Sequence, residues 1–176
     1  DGYEGDKNER SILRGVFDPG DAWFVTGDLM RRDEEGDYWL VDRLSDVVRT
    51  EQGPIPTLAV EDALETCRNV RTAVAYGVSP GAGRPVLCAT VLTRDGTLDP
   101  AALTEDVVSR LPAAKRPRFV RVARAIPLTD GYRPKKAALK EQGTTVAAGE
   151  QLFTYDERAE RYMISTQTAR AEGASA

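Results

Sequence analysis

Apolar positions along the chain change period several times, and each change marks an element. Two β-leaning runs, residues 22–25 and 38–41, flank a polar segment in which Glu35-Gly36-Asp37 reads as a turn, so the spacing predicts a hairpin. That pairing brings the Thr26-Gly27-Asp28 corner near the Asp42-Arg43 end. Upstream, residues 3–17 mix charges with Ile12, Leu13 and Val16 in a short amphipathic spacing, a helix or a strap, and Asp18-Pro19-Gly20-Asp21 forces a turn. Downstream, Val47-Val48-Arg49 reads as a short strand leading into Thr50-Glu51-Gln52-Gly53-Pro54-Ile55-Pro56. Thr57 is suited to cap a helix whose Val60, Ala63, Leu64 and Cys67 make one buried stripe, with Glu61, Asp62 and Glu65 opposite.

Residues 71–78 and 86–92 read as buried strands joined by Ser79-Pro80-Gly81-Ala82-Gly83. That Gly-rich turn lacks the Gly-Lys-Ser/Thr ending of a phosphate loop and reads as a plain connection. Asp99-Pro100 opens a second helix with Leu103, Val107, Val108 and Leu111 as its stripe, closed by Pro112. Lys115-Arg116-Pro117-Arg118 approaches a strand over residues 119–126; a turn at Asp130-Gly131 follows, then a helix from Pro134 to near Gly143. Residues 151–155 and 161–165 predict a small hairpin packing on the domain, and residues 168–176 a frayed end. There is no internal repeat. The order defines an α+β fold: a domain over residues 46–143 with a three-stranded sheet and packed helices, preceded by a hairpin segment (1–45) and followed by an extension with its own hairpin (144–176).

Composition narrows the chemistry. At 41% hydrophobic and 30% charged residues, the 176-residue chain is globular. A net charge of −4 and a pI near 5.1 argue against a general nucleic-acid binder. The chain has no histidine, which removes imidazole acid–base chemistry and His-ligated metals. Cys67 and Cys88 lack metal-ligand spacing and fall on apolar patterns, so no metal site is expected and both read as small core residues. No apolar run approaches the roughly 20 residues of a membrane helix and no signal-peptide pattern opens the chain, which makes a cytoplasmic protein the expectation.

Asp28 and Arg43 are the candidate ligand groups of the first hairpin. A carboxylate can accept from both hydroxyls of a ribose, and a guanidinium can hold a phosphate bidentately. On spacing alone, a solvated hairpin with a turn aspartate and an exposed ion pair fits better. The run Gly20-Asp21-Ala22-Trp23-Phe24-Val25-Thr26-Gly27-Asp28-Leu29, followed by Val41-Asp42-Arg43-Leu44-Ser45-Asp46, resembles the end of the large domain and the hinge of adenylate-forming enzymes. Within that superfamily the sequence is most similar to the branch of fatty-acid-transport proteins and very-long-chain acyl-CoA synthetases.

The resemblance implies that residues 1–45 end a large N-terminal domain, that residues 46–143 form a swivelling C-terminal lid, and that Ser45 is the hinge. It implies a nucleotide site at Asp28 and Arg43, with Arg49 facing the nucleotide or the thioester site. Residues 50–56 depart from the family's Gly-Glu-Asn-like loop, and two prolines there delete backbone donors. The basic segment before residue 119 would lie near coenzyme A. In the terminal motif Thr129-Asp130-Gly131-Tyr132-Arg133-Pro134-Lys135-Lys136, Arg133 occupies the position of the family's catalytic lysine. Arginine keeps the cation but changes its shape. Adenylation supported by Arg133, adenylation supported by a displaced Lys135 or Lys136, and a weakened half-reaction all remain open.

ATP, magnesium and coenzyme A are the implied cofactors. A fatty acid or other bulky carboxylic acid and the chain's own large domain are the implied partners, with no nucleic acid and with room for peripheral membrane contact. The expected activity is AMP-forming ligation of long or very-long-chain acids to coenzyme A, with the 176-residue piece inactive alone. Rival readings are a degenerate, non-catalytic lid and a ligase for steroid-derived or branched acids.

Overall fold

The computed structural model describes residues 11–79, 81 and 83–165. The chain divides into two units, Asp1–Ser45 and Asp46–Ala176.

In the first unit β1 (Ile12–Arg14) pairs antiparallel with β2 (Ala22–Phe24), and β3 (Asp28–Arg32) pairs antiparallel with β4 (Tyr38–Arg43). Residues 22–24 therefore partner residues 12–14 and not residues 38–41. The reason is local chemistry that hydrophobic period does not report. The Asp21 carboxylate accepts the amides of Val16, Phe17 and Asp18 and the Trp23 indole N–H, closing a loop between β1 and β2. The Trp23 bond and these amides hold Asp21 well below the ordinary carboxylate range. Gly27, at φ +73°, then turns the chain so that β3 starts afresh at Asp28. Residues 12–14 are strand where a helix or strap was expected, and residues 3–10 lie outside the described residues. The β3–β4 turn forms at Asp33–Asp37, where the Asp33 carboxylate accepts from the Asp37 amide and the Trp39 indole.

The second unit is built on a five-stranded sheet of order β11-β10-β9-β8-β7. Its strands are β7 (Val70–Val78), β8 (Val86–Thr93), β9 (Phe119–Val122), β10 (Gln151–Asp156) and β11 (Arg161–Ile164). The first three are the expected ones. The tail hairpin does not merely pack on them: β10 pairs with β9 and lengthens the sheet to five. Only β8 and β9 run parallel, and that geometry requires a crossover, supplied by α2 (Pro100–Arg110). The Asp99 carboxylate accepts the Ala102 amide at 2.7 Å and Pro100 occupies the first turn, as an N-terminal Asp-Pro pair dictates. Ahead of the sheet lie the short pair β5 (Val48–Thr50) with β6 (Gly53–Ile55) and helix α1 (Leu58–Glu65); α3 (Lys136–Gln142) precedes the tail.

Alternate residues of β7 face two cores, which explains its unbroken apolar run. Ala73 and Ala75 join Val60, Leu64, Leu103, Val107, Val120 and Phe153 on the α1 and α2 side. Val74 and Tyr76 join Cys88, Ile126 and Leu139 on the α3 side. Both sheet edges are closed by side chains from helices. At β7, Glu65 accepts the Ala73 amide at 3.0 Å and Glu61 the Ala75 amide at 2.8 Å; at β11, Thr104 Oγ1 accepts the Tyr162 amide at 2.9 Å. These contacts occupy edge donors that would otherwise invite another strand. Glu61 and Glu65 thus bond to the sheet edge from the polar face that the helical stripe assigned them, Glu61 partly buried and Glu65 still exposed.

Two arginines of the basic segment make structural contacts. Arg116 donates to the Leu111 and Val108 carbonyls and to the Tyr155 hydroxyl, covering the C-terminal end of α2, while Arg118 pairs with Glu157 at 3.2 Å. Asp106, on α2, is buried and receives the Arg68 amide at 2.8 Å, Arg68 Nε at 3.2 Å and Arg110 Nη1 at 2.9 Å. Arg121 is buried between the Thr90 hydroxyl and the Thr145 carbonyl, tying the tail to the sheet.

Candidate functional site

Asp28 opens β3 and Arg43 closes β4, and the antiparallel register sets them directly opposite. A shift between Leu29 and Met30 separates this end from the rest of the ladder. Arg43 Nε stands 3.0 Å from Asp28 Oδ1, and Arg43 Nη1 donates to the Thr26 carbonyl at 3.3 Å. The Asp28 amide donates to Thr26 Oγ1 at 3.2 Å and the Leu44 amide to the Gly27 carbonyl at 2.8 Å, so the corner is held from both sides. The 3.0 Å approach lacks hydrogen-bond alignment: Oδ1 is buried within an ion pair but without a directed donor. A pair this exposed on the arginine side contributes about 0–1 kcal/mol, and its carboxylate keeps acceptor capacity for hydroxyl groups.

The other candidates fall near or beyond the boundary between the units. Ser45 is exposed and is the last residue of the first unit. Arg49 is exposed on β5, between buried Val48 and Thr50, as strand alternation requires. Arg133 and Lys135 are exposed on the segment leading into α3. There Leu128 and Pro134 form an isolated bridge, the Thr129 amide donates to the Arg133 carbonyl at 2.8 Å, and the Arg133 amide donates to Thr129 Oγ1 at 3.1 Å. Tyr132 sits at the tip in the left-handed region, φ +59°, and is 85% exposed. The loop is a closed ring of hydrogen bonds that holds Tyr132 and Arg133 outward.

Lys136 behaves differently from its neighbours. Its ammonium lies 2.8 Å from Thr57 Oγ1, 2.8 Å from Glu61 Oε1 and 3.4 Å from Asp46 Oδ2. Thr57 therefore accepts from Lys136 and makes no capping bond to α1 through its side chain. Sequence reasoning missed Asp46, Thr57 and Glu61 as a group because they converge only in the fold. The one signal was a pair of acidic residues in segments that apolar periodicity left polar.

No group of three or more His, Cys, Asp or Glu is placed to hold a metal ion among the described residues. None of the described helices is long and apolar enough to cross a membrane.

An α+β fold of this kind has known relatives. Residues 59–131 match the AMP-binding enzyme C-terminal domain, and the chain carries this domain of the adenylate-forming enzymes. The matched span ends before Arg133. Among curated proteins, the chain is 34% identical to the medium/long-chain fatty-acid–CoA ligase FadD6 of Mycobacterium tuberculosis, over 77% of this chain and 23% of that protein. It is 32% identical to human long-chain fatty acid transport protein 5, over 92% of this chain and 24% of that one. The chain thus spans about a quarter of the length of these relatives. Among solved structures, o-succinylbenzoate coenzyme A synthetase from Bacillus subtilis, in complex with ATP and magnesium ion, superposes with a TM-score of 0.64 at 26% identity, over 80% of this chain and 27% of that one.

Proposed function

We propose that the chain is the C-terminal portion of an ATP-dependent ligase joining long or very-long-chain fatty acids to coenzyme A. The observation that carries this reading is the extent of the likeness to the human fatty acid transport protein, which runs over 92% of the chain. In the full-length enzyme a carboxylate oxygen of the acid attacks the α-phosphorus of ATP, pyrophosphate leaves, and the thiol of coenzyme A then displaces AMP to give the thioester. Magnesium, arriving with ATP, offsets the charge of the triphosphate.

The chain's own groups divide the work. Asp28 accepts hydrogen bonds from the ribose hydroxyls while Arg43, paired with it, holds it oriented. Arg133 meets the negative charge that gathers on the acyl carboxylate and α-phosphate, an electrostatic role worth most where donors are fixed beforehand. Rotation at Ser45 withdraws Arg133 after the first half-reaction and turns Arg49 toward the site of the second. The acid-binding pocket belongs to the large domain. In this reading the enzyme is cytoplasmic with peripheral membrane contact and has no nucleic-acid partner. A second reading, favoured by arginine standing at the family's lysine position, is a lid that has lost adenylation and serves as an interaction module.

In the full-length protein, Asp28→Ala weakens ATP binding about tenfold, the loss of roughly 1.4 kcal/mol expected when charge-assisted bonds to a ribose disappear. Unchanged ATP affinity in calorimetry would remove the ribose assignment.

A further inference from the structure

We propose that Lys136 is a positioning residue that locks the Arg133-bearing loop to the segment that follows Ser45, so that the two move as one body. The inference rests on the adenylation reading of Arg133 above. The Lys136 ammonium donates a hydrogen bond to Thr57 Oγ1 at 2.8 Å and forms ion pairs with Glu61 Oε1 at 2.8 Å and Asp46 Oδ2 at 3.4 Å. The Lys136 and Glu61 side chains are each 15% exposed and that of Asp46 26%. Swinging out to a ligand would therefore make Lys136 give up its contacts to two sheltered carboxylates, which disfavours the displaced-lysine role considered from sequence. Glu61 is fixed in turn, since it also accepts the Ala75 amide from the sheet edge at 2.8 Å.

What the three partners have in common is their place in the chain. Asp46 is the first residue of the second unit, Thr57 and Glu61 belong to the start of α1, and Glu61 reaches β7. Lys136 itself begins α3, directly after the loop. The Lys135 amide returns to the Pro127 carbonyl at 2.8 Å and the Lys136 amide to that of Pro134 at 3.0 Å. The ring carrying Tyr132 and Arg133 is thus closed at its base where the Lys136 side chain is anchored. Rotation about Ser45 reaches Arg133 through Asp46 and Lys136, over a path with no loose segment.

The test uses the full-length enzyme and measures pyrophosphate exchange with a long-chain fatty acid separately from thioester formation on preformed acyl-adenylate. Lys136→Met keeps an unbranched side chain one atom shorter and removes the charge. It is expected to slow exchange about tenfold with KM for ATP changed less than about twofold, and Lys136→Arg to recover part of the rate. Because Lys136 acts through Arg133, the double variant Arg133→Ala/Lys136→Met should exchange no more slowly than Arg133→Ala alone. Multiplying losses, native-like exchange by Lys136→Met, or equal loss in both half-reactions would each overturn the inference. If Lys136→Met does not fold, Asp46→Asn, which spares Thr57 and Glu61, carries the same expectations and the same refutations. Native exchange by Arg133→Ala would instead sink the reading of Arg133 and this inference with it, whereas impaired exchange with multiplying losses sinks this inference alone.

Discussion

Asp106→Asn tests how the second unit is held together. The carboxylate is 5% exposed and bridges the segment after α1 to α2 through the Arg68 amide, the Arg68 side chain and Arg110. Burial alone pulls its pKa up, but the bonds from Arg68 and Arg110 outweigh that and leave the carboxyl below its ordinary value. Asparagine keeps one acceptor and loses the charge. The Arg68 and Arg110 side chains are 58% and 34% exposed, so water takes over much of their hydrogen bonding and the full penalty of an orphaned buried pair does not apply. What remains is mainly a weakened bond from a sheltered backbone amide and lost charge assistance, about 2 kcal/mol. At about 2–4 °C per kcal/mol for a chain of this size, the melting temperature should fall by about 6 °C.

The pH dependence separates charge from shape in Asp106→Asn. A depressed carboxyl pKa contributes stability that is complete above the unfolded value and lost as pH falls through the folded one. Urea midpoints of native and variant should therefore differ fully at pH 7 and converge below about pH 4. Equal stability at pH 7, or a gap that acid does not narrow, would refute the reasoning.

Two further outcomes follow from burial and backbone space. Burial pushes the Cys67 thiol up to about 11 and the Cys88 thiol to about 12, so neither should react with a thiol reagent at pH 8 in the folded chain, while both react once guanidinium unfolds it; labelling before unfolding contradicts their placement. Gly77→Ala would put a Cβ 2.9 Å from Val48 Cγ1 and 3.2 Å from Pro85 Cβ, so denaturation should show a loss of about 1–3 kcal/mol from overpacking, and an unchanged midpoint would contradict the close approach.

Helix α2 was legible because its signals are local: Asp99 and Pro100 mark its start, and Leu103, Val107 and Leu111 repeat on one face. The α+β class and the strands β7, β8 and β9 were legible for the same reason. The tail hairpin was legible as two strands but its addition to the sheet was not, since β10 finds its partner in β9, about thirty residues away, and no periodicity encodes that choice. Residues 22–24 were given the wrong partner because Asp21 and Gly27 redirect the chain by side-chain capping and a left-handed turn. Glu61 and Glu65 show the limit of amphipathic reasoning: period separates apolar from polar positions but does not say that the polar face lies along a sheet edge short of acceptors. Among the candidate site residues, the apposition of Asp28 and Arg43 followed from hairpin register even though the strand in front of Asp28 was misassigned. The engagement of Lys136 required three segments far apart in sequence to meet, which only the fold discloses.

The central claim is that this lid serves an acyl-adenylate-forming enzyme in which Arg133 supports the first half-reaction. Pyrophosphate exchange by the full-length polypeptide, with ATP, magnesium and a long-chain fatty acid, tests it most directly. The account predicts exchange that depends on the fatty acid and falls about a hundredfold in Arg133→Ala, the scale of losing one fixed donor to the transition state. Exchange indifferent to the fatty acid, or undiminished in Arg133→Ala, would contradict it.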